Sequence, residues 1–119
     1  MINNDHYIDL IVASVPNHRK LEYLEFCQVS SKFMKKFGAV QCFDFWGDDI
    51  PAGQLTSLPL AVKANADETI VSSLIIWPSK EARNKGMELC EQDPEFNQLD
   101  MIFDGKKVIF GGFQVLYHS

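Results

Sequence analysis

A chain of 119 residues, 46% of them hydrophobic, has the size of one domain and enough apolar content for a substantial core, so we expect a single domain over residues 1–119. Its formal net charge of -5 argues against a broad nucleic-acid or anionic-membrane surface, and no apolar run approaches the length of a bilayer span. Cys27, Cys42 and Cys90 are odd in number and form no CxxC pair, and the segment from Met1 to His6 lacks the pattern of a secretory leader. These features fit buried thiols in a reducing compartment, and the expected setting is cytoplasmic.

In chain order, Tyr7 to Val15 is predicted as a strand, rich in β-branched and apolar residues and ended by Pro16-Asn17. From His18 to Phe37 the period changes. Leu21, Leu24, Cys27, Ser31 and Met34 recur at three- and four-residue steps, with Asn17 as the expected N-cap and Lys35-Lys36 before Gly38 as a C-terminal pattern. Ala39 to Gly47 returns to strand character. Asp48 to Leu60 holds Pro51, Gly53 and Pro59 and is predicted irregular, with a short extended piece at Leu55-Thr56-Ser57. A hairpin is expected next, Leu60 to Ala64 turning at Asn65-Ala66-Asp67 into a strand from Glu68 to Trp77.

Pro78 stops that strand and Ser79 stands where a helix cap belongs, opening a helix to about Glu91 that Gly86 weakens in its middle. Asp93-Pro94 can start a further short helical turn. Asp104-Gly105 between Met101-Ile102-Phe103 and Lys107-Val108-Ile109 predicts a type I′ hairpin leading into a last strand, Lys107 to Tyr117. The order β-α-β-β-α-β predicts an α+β, ferredoxin-like protomer with an antiparallel sheet.

The strands read apolar on both faces, as in Ile8, Leu10 and Val12 alternating with Tyr7, Ile11 and Ala13. Two helices can cover only one face of such a sheet. The other needs a partner, which predicts a homodimer packed sheet to sheet; the alternative is the long central loop folding over that face.

Candidate chemistry is sparse. Asp9 interrupts an apolar strand, and a buried carboxylate needs partners or a shifted pKa, so it is the candidate general base. A structural hydrogen bond is the other reading, and Asp44, also within a strand, has the same ambiguity. Asp48 and Asp49 are an acidic pair, but neighbours in an extended segment point opposite ways and cannot readily clasp one ion; Asp is also a common turn residue. With Thr56 and Ser57 on the same loop they are ligand-binding candidates. Gly111 and Gly112, adjacent within the last strand, imply a bulge or a close approach there, and join that set. Phe110-Gly111-Gly112-Phe113 faintly resembles an aromatic RNA-binding strand, but the acidic balance and its place on the last strand count against RNA. His6, His18 and His118 have no metal-ligand spacing, and no cofactor motif stands out, so neither metal nor cofactor is expected.

The motifs Asp48-Asp49-Ile50-Pro51-Ala52-Gly53, Thr56-Ser57-Leu58-Pro59, Ala61-Val62-Lys63, Asp67-Glu68-Thr69-Ile70-Val71 and Phe103-Asp104-Gly105-Lys106 stand ahead of the Gly111-Gly112-Phe113 strand. Together they resemble the bacterial YbaA-like family of uncharacterised proteins over most of the chain. That family is similar in fold to dimeric α+β barrel proteins, which include antibiotic-biosynthesis monooxygenases and muconolactone isomerases. The resemblance implies a ferredoxin-like protomer and a dimeric α+β barrel, and carries over no activity. A small-molecule pocket in each protomer is one expectation, with cofactor-independent proton transfer or oxygenation as the chemistry the fold analogy fits if it is catalytic; a non-catalytic binding or structural dimer is the alternative. The chain departs from the family pattern at Leu58, Leu60, Ser73-Leu74 and Gly86-Met87, so a pocket lined there would differ in its contents.

Overall fold

The structure, a computed structural model, describes residues 2–119. Strand β1 (Tyr7–Pro16) leads through a 3-10 turn (Asn17–Arg19) into helix α1 (Lys20–Lys36) and strand β2 (Gln41–Trp46). A short helix α2 (Leu58–Ala61) precedes β3 (Glu68–Trp77); α3 (Lys80–Gln92), α4 (Pro94–Asn97) and β4 (Ile109–Gln114) follow. The strands form one sheet in the order β2-β3-β1-β4, every neighbouring pair antiparallel. This is the ferredoxin-like α+β protomer expected from the element order.

Local chemistry explains most boundaries. At the end of α1 the Gly38 N–H bonds the Lys35 carbonyl at 3.2 Å and the Ala39 N–H bonds the Met34 carbonyl at 2.9 Å. Gly38 sits at φ +118°, so these two bonds close a Schellman-type C-terminus that a side chain would strain. The Ser79 side chain accepts from the Ala82 N–H at 3.0 Å and caps α3. Asp93 does the same for α4, accepting from the Glu95 and Phe96 N–H groups. Asn17 does not cap α1: its Oδ1 accepts from Thr69 Oγ1 at 2.6 Å, so the residue ties the end of β1 to β3 instead.

Two expected hairpins are absent. The segment predicted as a strand at Leu60 to Ala64 begins inside α2, because Ser57 accepts from the Leu60 N–H at 3.1 Å and Pro59 pre-sets the first turn. Leu55-Thr56-Ser57 likewise forms no strand. Met101-Ile102-Phe103 carries no strand either. Ile102 is drawn into the core beside Tyr23 and Val71, and this pulls the segment off the sheet edge. Asp104 does turn the chain: its Oδ1 accepts from the Lys106 N–H at 2.9 Å and its carbonyl from the Lys107 N–H at 3.0 Å. Neither Asp104 nor Gly105 takes a positive φ, so the turn is not type I′.

Alternation sends Tyr7, Asp9, Ile11, Ala13 and Val15 to the face packed by α1 and α3, where two core clusters meet around Trp77 and around Tyr23 with Cys27. The opposite face carries Leu10, Val12 and Ile70. Part of it is covered by the chain between β2 and β3, whose Ile50 and Val62 pack on Val12 and Ile70. The loop alternative is therefore realised over that part. Elsewhere on the face Phe45 and Phe113 remain about half exposed, with Phe43 stacked on Phe45 at 6.0 Å. Among the described residues no helix is long and apolar enough to cross a membrane.

Candidate functional site

Four side chains from three elements converge on the helix-covered face. Asp9 lies opposite Ile75 of β3 and Gly112 of β4 in the sheet register. One of its oxygens, Oδ2, accepts from the indole Nε1–H of the fully buried Trp77 at 2.9 Å. The other, Oδ1, is 3.8 Å from an Arg83 terminal nitrogen, an ion pair without a close hydrogen bond. Both partners are largely withdrawn from water, with side chains 25% exposed for Arg83 and 13% for Asp9.

Arg83 reaches this position from the first turns of α3. Its guanidinium carbon lies 4.8 Å from the centre of the Tyr7 ring, a cation–π contact, and a terminal N–H donates to the Tyr7 hydroxyl at 3.0 Å. Its Nε–H is buried and has no hydrogen-bond partner among the described residues. The geometry needs a glycine beneath it: a Cβ on Gly112 would stand 2.3 Å from the Tyr7 hydroxyl and 2.8 Å from Arg83. One close approach expected at the glycine pair is thus located. Gly111 is different, opposite Leu10 on the other face, with no neighbour nearer than 3.7 Å to an added Cβ.

A cavity of about 280 Å³ opens beside this cluster. Asp9 and Arg83 are its charged walls; Ile11, Ile75, Met87, Met101, Phe103, Val108 and Phe110 supply the rest. Small-molecule sites have this character, a mostly apolar lining with a few convergent polar groups. A smaller chamber of about 120 Å³ adjoins it and shares Ile11, Ile75 and Phe103 as walls. Its polar lining includes Tyr23, Asp44 and Ser73, and Ser73 Oγ donates to Asp44 Oδ1 at 2.5 Å. Burial, above all, pushes the Tyr23 hydroxyl well above its ordinary pKa. Burial and then the nearby Asp44 push the Cys27 thiol up to about 12.

Of the residues singled out in the sequence, Asp9 and Gly112 are brought together here. Asp48 and Asp49 lie exposed in the bend after β2, Thr56 is exposed, and Ser57 is occupied as the cap of α2. Their loop packs through Ile50 against the other face of the sheet, so these four and Gly111 stand apart from Asp9. Arg83, Trp77 and the Tyr7 hydroxyl were missed. One signal was available for Arg83: it shares an i, i+4, i+7 stripe with Met87 and Cys90, a lone charge on the apolar side of α3. Among the described residues no group of three or more His, Cys, Asp or Glu side chains is placed to hold a metal ion.

A family model described as "Protein of unknown function (DUF1428)" matches residues 6–105. The chain is 37% identical over 110 residues to the uncharacterized protein YbaA of Escherichia coli strain K12, a match covering 91% of this chain and 94% of that protein. The YbaA protein of Shigella flexneri matches to the same extent. Among solved structures, SnoaB, a cofactor-independent oxygenase from Streptomyces nogalater, superposes with a TM-score of 0.61 at 14% identity over 96% of each chain. A dimeric ferredoxin-like protein from an uncultured marine organism gives a TM-score of 0.60 at 12% identity, covering 96% of this chain and 98% of that one. At such identities these two likenesses bear on the fold alone.

Proposed function

We propose the following from one premise: the chain belongs to the DUF1428 family, whose description assigns no function, and is 37% identical to YbaA. Each protomer binds a small, mostly apolar molecule in the cavity between sheet and helices, and Asp9 acts on it as a general base. The observation that carries this reading is the Asp9–Arg83 pair, a nearly desolvated carboxylate and guanidinium on the wall of a cavity of about 280 Å³. Two opposite charges set in apolar surroundings suit removal of a proton from carbon next to a carbonyl. The C–H bond breaks, its proton passes to Asp9 Oδ1, and the electron pair moves to the carbonyl oxygen as an enolate beside Arg83. The same abstraction opens either a proton shift or, with molecular oxygen as co-substrate, oxygenation, and it calls for no cofactor. The fold likeness to a cofactor-independent oxygenase supports the reading as analogy.

The working unit is a homodimer in this reading. The half-exposed Phe45 and Phe113 on the open sheet face and the dimeric ferredoxin-like neighbour support it. A cytoplasmic setting is part of the same proposal, resting on the three free cysteines.

The test is proton exchange. A panel of apolar carbonyl compounds is incubated with the protein in D2O and followed by proton NMR. At least one compound loses its α-proton signal with the wild type and keeps it with Asp9→Asn. Exchange at equal rates in both proteins sinks the role of Asp9. One observation favours the second reading, a binding module without turnover: both Asp9 oxygens already face protein groups. That reading predicts binding without exchange.

A further inference from the structure

The inference here rests on the reading of the Asp9–Arg83 cavity as a small-molecule site and names the class of molecule it takes. Among the described residues, Asp9 and Arg83 are the only charged side chains lining that cavity; the other seven are apolar. The pair sums to zero charge. Each member makes this one ion pair and no other among the described residues.

Two atoms of the pair are available to a ligand. Asp9 Oδ1 and Arg83 Nη1 stand 3.8 Å apart, too far for a hydrogen bond, and neither has one to any other described residue. Arg83 Nε is the one buried side-chain atom left without a partner among the described residues, so Oδ1 and Nη1 are not sealed off as Nε is. A molecule seated there therefore meets both signs of charge at once. A carbonyl oxygen can accept from Nη1 while its neighbouring carbon, uncharged, rests against Oδ1. A carboxylate placed against Nη1 would stand beside Oδ1 as a second anion. An ammonium placed against Oδ1 would stand beside Nη1 as a second cation. Either brings a charge whose counter-charge is already taken, and apolar walls give it no other, so its entry is costly.

We infer that the cavity selects uncharged carbonyl compounds of about bicyclic size, with Asp9 excluding anions and Arg83 excluding cations. The size follows from the volume. About 280 Å³ is nearly twice the roughly 150 Å³ at which an apolar cavity accepts benzene.

The probes share one bicyclic skeleton and differ at one carbon: 1-tetralone is uncharged, 1,2,3,4-tetrahydro-1-naphthoate is an anion and 1-aminotetralin is a cation. Each is titrated calorimetrically at pH 7 into wild type, Asp9→Asn, Arg83→Gln and the double variant, with circular dichroism to confirm each fold. Wild type is expected to prefer the tetralone to both charged probes by about tenfold or more. Asp9→Asn leaves the guanidinium unpaired and turns the preference to the naphthoate. Arg83→Gln leaves the carboxylate unpaired, weakens the tetralone and turns the preference to the amine. The double variant, uncharged again, accepts neither charged probe in preference to the tetralone. The two single variants predict opposite shifts, so either one that folds decides the matter. Charged probes that bind wild type as tightly as the tetralone overturn charge selection and leave the cavity as a binding site. A preference that stays the same in a folded single variant also overturns it. No binding of any probe at millimolar concentration overturns the site reading together with this inference.

Discussion

The indole N–H of Trp77 donates to Asp9 at 2.9 Å, joining the last residue of β3 to the one carboxylate that β1 turns toward the helices. The bond fixes which Asp9 oxygen is spent on structure and which one faces Arg83. Replacing Trp77 with Phe keeps an aromatic ring but leaves Asp9 short of its donor. We expect a loss of about 1–3 kcal/mol of stability in urea denaturation. Unchanged stability would mean that the bond contributes nothing and that Asp9 finds another donor.

Trp77 also explains a glycine. Gly86 stands in the middle of α3, where glycine costs about 1 kcal/mol relative to alanine. A Cβ there would lie 2.3 Å from the Trp77 ring and 2.8 Å from the Phe37 carbonyl oxygen. Trp77 is fully buried and has no room to withdraw. Gly86→Ala should therefore destabilise the protein despite better helix propensity, since overpacking costs about 1–3 kcal/mol. A gain in stability, read from the urea midpoint, would contradict this packing of α3 on Trp77.

Glu68 makes the fold sensitive to acid. Its burial opposes ionisation, but the Asn65 N–H, the Lys107 ammonium at 3.1 Å and the Ser14 hydroxyl outweigh that and hold its pKa below the usual carboxylate value. A carboxyl that ionises more easily when folded lends stability above its unfolded pKa of about 4.3, and that stability is lost as pH falls through the folded value. Wild type should lose stability more steeply than Glu68→Gln as pH falls from about 5 to 3. Parallel loss in both proteins, measured by urea denaturation at each pH, would rule Glu68 out as a source.

The elements that were legible in the sequence are those whose cause is local. Ser79 before α3, Asp93 before α4, Gly38 after α1 and the full extent of β3 are all fixed by neighbours within a few residues. The failures have distant or competing causes. Asn17 turns from α1 to Thr69, 52 residues away, and Ile102 leaves the sheet edge for the core. The site was half legible. Asp9 announces itself as a charge in an apolar strand, but its partners come from β3 and α3, and only the folded sheet brings them to it. The pair Gly111-Gly112 reads as one feature in the sequence and divides in the fold, because adjacent strand residues face opposite sides.

The thiols should be inert in the native state. Burial first, then Asp44, pushes Cys27 up to about 12; burial first, then Asp93 and Glu91, pushes Cys90 up to about 11. Cys42 is raised as well, chiefly by burial. The thiolate is the reacting form, so iodoacetamide at pH 8 should leave Cys27 and Cys90 unmodified in folded protein and label all three cysteines in urea. Peptide mass spectrometry reads the outcome. Prompt native labelling of Cys27 would contradict its enclosure between α1 and the sheet.

The central claim is that each protomer of a homodimer holds a small molecule against Asp9 and Arg83. Native mass spectrometry of protein purified without denaturation tests it most directly, with wild type and Arg83→Gln compared side by side. The account predicts a wild-type dimer carrying excess non-covalent mass that Arg83→Gln loses while remaining dimeric. A wild-type monomer, a dimer with no excess mass, or excess mass retained in full by Arg83→Gln would contradict it.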